Sequence, residues 1–304
     1  MAVVARDAVD GVLLLNKPRG LTSQQAVACV KRLFWARKAG HTGTLDPLAD
    51  GLLPIGFGEA TKFSQFLLDA DKGYLATLRL GAVTTTGDAE GEIIQERPVA
   101  VTPAEVTTVV QGFVGPLQQI PPMHAAIKVN GKPLYAYARA GEMVTREPRS
   151  ITIYSIQLIE FIDKNIIFRV SCSKGTYIRV LAEDIGSALG CGAHLTALTR
   201  ERAGSFELAN ALSIASLEAM DMKQRRELLL PLDTFATSLR RLDIPADEVR
   251  RIILGQRAGL GEAALPGLYR LYGPAGAFFG IGEVIAGTLV ARRLVSQPQA
   301  AVSC

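Results

Sequence analysis

The chain has 304 residues, 48% of them hydrophobic and 20% charged, with a formal net charge of +4. This suits one large domain plus a small one, or two medium ones, and excludes a disordered chain. The mild positive charge permits a polyanionic partner without requiring one. No stretch has the length of an uncharged membrane span, since the most apolar late run, "AFFGIGEVIAGTLVA", is short and carries Glu283. The N-terminal "MAVVARDAVDGVLLLNKPRG" has Asp7 and Asp10 ahead of a brief apolar run, which argues against a secretory signal and for the cytoplasm. Cys29, Cys172, Cys191 and Cys304 are scattered, and His194, three residues after Cys191, cannot close a zinc site with it alone. Reduced thiols and no metal are expected.

In chain order, "GVLLLNKPRG" predicts a short strand ended by a turn at 17–20. Thr22 or Ser23 then caps a helix whose apolar residues Ala26, Val27, Val30, Leu33 and Phe34 recur at helical spacing. Lys17, Arg19, Lys31, Arg32, Arg37 and Lys38 crowd this region, which suits a solvated face or an anion contact equally. "GHTGTLDPLADGLLPIGFGEATKF", residues 40–63, is too punctuated by glycine and proline for a long helix. It reads as a loop entering a buried strand near Leu52 to Ile55. Asp46 precedes Pro47, whose ring biases it to extended backbone, so its carboxylate sits on stiff chain. On this stretch alone, a turn started by Asp-Pro, with Thr42 and Thr44 tying up local backbone, is the simpler reading.

From Tyr74 a β-forming run leads to the turn signal Gly87-Asp88, and Pro103 to Phe113 is predicted helical. A basic and aromatic segment follows, with a hairpin signal at Asn130-Gly131 and the cations Lys128, Lys132, Arg139, Arg146 and Arg149. Two strands joined by Asp163 to Asn165 come next, then a helix through "TYIRVLAEDIGSALG" that stops at Gly190. Strands and helices in blocks, without βα alternation, predict an α+β fold with a mainly antiparallel sheet. After a helix from about Ala246 to Leu254, short apolar strands broken by glycines predict a small β-rich module.

"GFGEAT" nearly matches a dinucleotide fingerprint but lacks its last glycine and a surrounding βαβ unit. With no G-x-S-x-G and only three histidines, a serine hydrolase is poorly supported. What remains is a set of carboxylate, aromatic and basic residues.

"GHTGTLDPLADGLLPIGFGEATKF", "KGYLATLRLGAVTTTGDAEG", "SKGTYIRVLAEDIG" and "HLTALTR", in this order, resemble the motifs of the bacterial tRNA pseudouridine synthase B family. The resemblance implies an α+β pseudouridine synthase fold with a mainly antiparallel mixed sheet over 1–241, and a small PUA-like β-barrel over 242–304. It further implies isomerisation of uridine 55 in the tRNA T-loop without cofactor or metal, by a monomer whose partner is tRNA. Under it Asp46 is the essential aspartate, Arg179 its ion-pair partner, and Tyr74 the tyrosine that stacks on the base or accepts the C5 proton. From spacing alone, Arg179 pairs more simply with Glu183, one helical turn away. The resemblance also makes His41 the residue that fills the space of the flipped nucleotide. Tyr177 and Leu198 would line the uracil pocket, with Lys62 near it and Asp88 a second acid beside the site. Residues 121–150 correspond to a thumb that folds over the RNA. Two other functions fit the same residues: a guide-dependent subunit of a ribonucleoprotein, and a tRNA-folding chaperone. The compact chain without long charged tails argues against the first.

Overall fold

The structure is a computed structural model that describes residues 6–125, 127–260 and 264–296. Strand Gly11–Lys17 buries an unbroken apolar run because its neighbours close both faces, and it pairs antiparallel with Asp50–Phe57 along its whole length. These strands belong to a ten-stranded sheet. Its path continues through Ala193–Ala203, Lys72–Leu80, Asn165–Cys172 and Arg149–Ile162 to Gly115–Gln119, with Leu212–Ser213 at the other edge. Parallel pairing in this sheet is confined to Leu15 with Leu212 and Thr199 with Asp50 and their neighbours. The α+β architecture with a mainly antiparallel sheet is therefore the one observed.

Helices Pro103–Gln111 and Ile178–Ala188 bury Val106, Val110, Leu181 and Ile185 against Leu78, Phe168 and Val170 of the sheet. A second core forms under helix Ser23–Leu33, where Val27, Val30 and Phe34 meet Leu13, Ile55 and Phe57. Thr22 caps that helix reciprocally with Gln25, as its sequence position suggested. Tyr74 and Leu198 pack against both cores and so mark the seam between them. Strands Asp50–Phe57 and Ala193–Ala203 touch closely there. A Cβ on Gly51 would lie 2.6 Å from the Arg200 carbonyl oxygen, so only glycine permits the approach.

The segment 121–148 leaves the sheet after Gln119 and rejoins it at Arg149, with these two residues paired in register. Inside it, Asn130 and Gly131 both have positive φ and close the small hairpin expected from their sequence. Helix Leu134–Arg139 follows. The side chain of Lys128, and Cys304, lie outside the described residues.

Strands Arg240–Asp243, Gly267–Tyr272, Phe278–Ile285, Thr288–Leu294 and Ala258–Gly259 form a separate curled five-stranded sheet, with helix Ala246–Ile253 beside it. This module is docked on the larger domain. Phe278 meets Phe63 edge to face at 5.1 Å, and Ile281 joins Val12, Phe63 and Phe235 in a common core. Asp233 accepts from Arg270 at 3.2 Å and from the Tyr272 hydroxyl.

Candidate active site

The loop carrying Asp46 is strapped at both ends. The Leu45 amide donates to Ser23 Oγ at 2.7 Å, and that hydroxyl returns a bond to the Leu45 carbonyl at 2.9 Å. The Thr42 amide donates to the Pro54 carbonyl at 3.1 Å, and the Gly20 amide to that of Pro47 at 2.7 Å. The Thr42 hydroxyl likewise donates to the Pro54 carbonyl at 3.3 Å, twelve residues on and not within a local turn, and Thr44 is exposed. The Asp46 side chain keeps 37% of its surface accessible, enough to meet a ligand from the cleft.

Arg179 comes to it from the first turn of helix Ile178–Ala188, with its side chain only 6% exposed. Its Nε lies 3.1 Å from Asp46 Oδ2, and its Nη1 lies 3.6 Å from Asp88 Oδ2. Nη1 also donates to the Thr86 carbonyl at 3.2 Å, and Nη2 to the His124 carbonyl at 3.3 Å. Its described ion-pair partners are thus two carboxylates distant in sequence, not Glu183. Burial in the cleft pushes the Asp46 carboxyl above its ordinary value, against the pull of Arg179 and with added repulsion from Asp88. Asp88 is both things its sequence allowed. It closes the turn by accepting from Thr86 Oγ1 at 2.6 Å and the Glu90 amide at 3.0 Å, and it is buried beside Arg179.

Two cavities meet at Asp46 and Arg179. The first, of about 520 Å³, is lined by His41, Thr44, Asp88 and His124, among others. The second, of about 350 Å³, is lined by Tyr74, Tyr177, Leu198 and Arg200. Burial lowers the His41 pKa, helped by the Arg200 charge, so the ring is neutral near pH 7 and suited to stacking. Burial raises the Tyr74 and Tyr177 phenols, which are neutral there also. Apolar and aromatic walls around the Asp46 carboxyl can hold a flat neutral heterocycle against a nucleophilic or basic oxygen. Among the described residues, no group of three His, Cys, Asp or Glu side chains is arranged to hold a metal ion.

Seven of the eight residues singled out from the sequence thus gather around one point. Lys62 does not. Its Nζ is held by Glu59 at 2.8 Å, the Leu294 carbonyl at 3.2 Å and Ser296 Oγ at 2.8 Å, so it joins the C-terminal module to the larger domain. The physical reason is the short 3-10 helix Gly58–Lys62, which ends the buried strand and places Lys62 three residues from Glu59, in ion-pair reach. Lys17 likewise leaves the surface group assigned to it. It is fully buried, donating to the carbonyls of Pro18 at 2.9 Å and Leu21 at 2.6 Å.

One buried cation beside the site had no role in the sequence reading. Arg200 is 2% exposed, donates from Nε to the Leu52 carbonyl at 2.7 Å and from Nη2 to the Gly43 carbonyl at 3.2 Å, and its charge draws the Tyr74 phenol pKa down against burial. It ties the Asp46 loop to strand Asp50–Phe57. Its only sequence signal was its place at the end of "HLTALTR".

The sequence signature of the TruB family pseudouridylate synthase N-terminal domain matches residues 31–178. That of the tRNA pseudouridylate synthase B C-terminal domain matches 179–237, and that of the pseudouridine synthase II TruB C-terminus matches 241–295. A tRNA pseudouridine synthase B of Methylobacillus flagellatus is 51% identical over 290 residues, covering 95% of this chain and 96% of its own. Another from Thiobacillus denitrificans is 52% identical over 297 residues, covering 97% and 99%. Among solved structures, a chain of a Cbf5-Nop10-Gar1 complex superposes with a TM-score of 0.71 at 25% identity, covering 94% of this chain and 84% of that one.

Proposed function

The chain belongs to the bacterial tRNA pseudouridine synthase B family, and from that premise we propose that it isomerises uridine 55 of the tRNA T-loop to pseudouridine. The observation that carries the reading is the Asp46–Arg179 pair at 3.1 Å where two cavities meet, walled by Tyr74, Tyr177 and Leu198. The reaction breaks the N1 glycosidic bond, turns the base while it is held, and joins the ribose carbon to C5. Asp46 supplies the oxygen needed, either as a nucleophile toward C6 or C1′ or as a base toward a ribose proton. Arg179 keeps that oxygen ionised and aimed. A stacked T-loop uridine must first be flipped out, at a cost of a few kcal/mol. The neutral His41 ring at the cleft wall offsets part of the lost stacking. Tyr74 stacks on the extruded base, and its neutral phenol is a proton acceptor only if Arg200 helps it ionise.

The thumb over 121–150 and the C-terminal module supply phosphate contacts that orient the RNA. The enzyme acts as a monomer in the cytoplasm, without cofactor, metal or guide RNA. Near full-length identity of about half to bacterial proteins named tRNA pseudouridine synthase B favours this over the guide-dependent reading. The test is to incubate the pure protein with an unmodified tRNA transcript and map pseudouridine. Product at position 55 alone is expected, and none without a guide would overturn the proposal.

A further inference from the structure

Gln119 is buried to 3% exposure, although its side chain is an uncharged amide with four hydrogen-bonding sites. It is the last residue of strand Gly115–Gln119, where the thumb leaves the sheet, and it pairs in register with Arg149, where the thumb returns. Its side chain brackets a single residue of another element. Oε1 accepts from the Tyr177 amide at 2.9 Å, and Nε2 donates to the Tyr177 carbonyl at 3.3 Å.

Tyr177 occupies the N-cap of helix Ile178–Ala188 and has no capping bond from its own side chain. Its carbonyl also receives the Leu181 amide at 3.1 Å, the first hydrogen bond of that helix. Gln119 therefore fixes where the helix begins. Two residues on, Arg179 reaches Asp46. The thumb touches the Arg179 guanidinium directly through the His124 carbonyl, 3.3 Å from Nη2. One root bond pair and one carbonyl thus tie the thumb's seat to the arginine that aims the carboxylate.

We infer that Gln119 is a positioning residue, whose amide couples the seat of the thumb to Arg179 and through it sets the alignment of Asp46. The inference rests on the proposed pseudouridine synthase reading. It assigns no contact with RNA to Gln119, which is too buried to make one.

The test uses the full chain and two variants. Gln119→Met keeps length and volume and removes both bonds. Gln119→Glu retains the acceptor for the Tyr177 amide and loses the donor to its carbonyl. Single-turnover pseudouridine formation with excess protein is measured across the acid limb of the pH profile, beside filter binding of the same tRNA transcript. For Gln119→Met the rate is expected to fall at least tenfold with tRNA affinity within about twofold, and for Gln119→Glu to fall less. The acid limb should also move to higher pH. Asp46 is faced by Arg179 from the helix, Asp88 from the turn, Lys17 from the first strand and His124 from the thumb. Loosening Arg179 weakens the attraction that opposes burial, so a higher pH is needed to ionise Asp46. A residue that served only to keep the fold would lower the active fraction and leave that limb in place.

If both variants turn over like the parent, or lose activity only in proportion to weaker tRNA binding, the coupling does not exist. If both unfold, or the acid limb stays in place, Gln119 is a packing residue and the inference is overturned. If the parent itself makes no pseudouridine, the proposed function has failed instead, a result visible before any variant is compared.

Discussion

Arg179 meets Asp46 through Nε at 3.1 Å and leaves both Nη groups to other partners, namely Asp88, the Thr86 carbonyl and the His124 carbonyl. Bound from several sides, the guanidinium has a fixed orientation when substrate arrives. Its charge is shared between two carboxylates, which leaves Asp46 only partly compensated for its burial. That is a poise suited to chemistry more than to stability.

Asp46→Asn is expected to separate chemistry from binding. The amide keeps size and shape but loses the reactive oxygen, so single-turnover activity should fall below detection. RNA affinity rests on phosphate contacts spread over many cations, so affinity and its salt slope should match the parent's in filter binding. Activity within about tenfold of the parent, some 1.4 kcal/mol of barrier, would show that Asp46 is not the catalytic carboxylate. Stability moves the other way. Because the folded pKa of Asp46 is raised above its ordinary 3.8, its ionised form costs the folded state. The cost is absent below the unfolded value and appears as pH rises through the folded one. The variant should therefore melt at or above the parent's temperature near pH 7 and lose that advantage in acid.

Arg179→Met tests the counter-charge. Arg179 is the largest influence pulling the Asp46 pKa down against burial, and without it the repulsion from Asp88 is opposed only by the weaker pull of Lys17 and His124. The acid limb of the single-turnover pH profile should move to higher pH, and the residual rate should rise as pH is increased. An unmoved limb would show that the limb reports a group other than Asp46. Asp88, left buried without its cation, should also destabilise the fold, by about 3–5 kcal/mol for a broken buried pair.

Much of this site could be read from the chain because its local parts obey local rules. Thr22 caps its helix, Asn130-Gly131 turns its hairpin, and the apolar period of 178–188 gives its helix. What could not be read locally is which charges meet. Spacing offered Arg179 a partner in Glu183, and the tertiary fold gave it Asp46 and Asp88 instead. Only the family resemblance supplied the Asp46 pairing in advance. Lys17 looked like one cation of a surface cluster, since charge density along a sequence carries no information on burial. Lys62 sits at the end of the most informative motif, yet a single 3-10 turn carries it to the C-terminal module.

Lys62→Met should accordingly weaken that module's docking and spare the chemistry. The Lys62–Glu59 pair is part-exposed, so its loss is worth about 1 kcal/mol or less. Turnover at saturating tRNA should stay within about twofold of the parent's, while proteolysis near the junction at 237–240 should quicken. A large loss of turnover at saturation would return Lys62 to the active site. Removing the module outright is a poorer experiment, because truncation after Leu239 uncovers Phe63 and Phe235, which pack with Phe278 and Ile281. The truncated chain is expected to aggregate.

Arg200 gives the most demanding test, because stability and catalysis meet in one side chain. Among the described residues it has no carboxylate partner, and it spends its charge on the carbonyls of Leu52 and Gly43, beside the Tyr74 phenol. Arg200→Met removes the fork and leaves two carbonyls unsatisfied, a loss of about 2–6 kcal/mol at about 1–3 kcal/mol for each orphaned group. Arg200→Lys keeps the charge but presents a single ammonium in place of the planar fork, so it should restore one bond and part of the stability. Activity should fall in both variants beyond the unfolded fraction, because the Gly43 carbonyl anchors the loop that carries Asp46. In the methionine variant Tyr74 would also lose the cation that opposes the upward pull of burial on its phenol. Denaturant unfolding and single-turnover assays well below the melting temperature measure the two effects separately. A methionine variant within about 0.5 kcal/mol of the parent's stability, with unchanged turnover, would show that the Asp46 loop is held in place without Arg200.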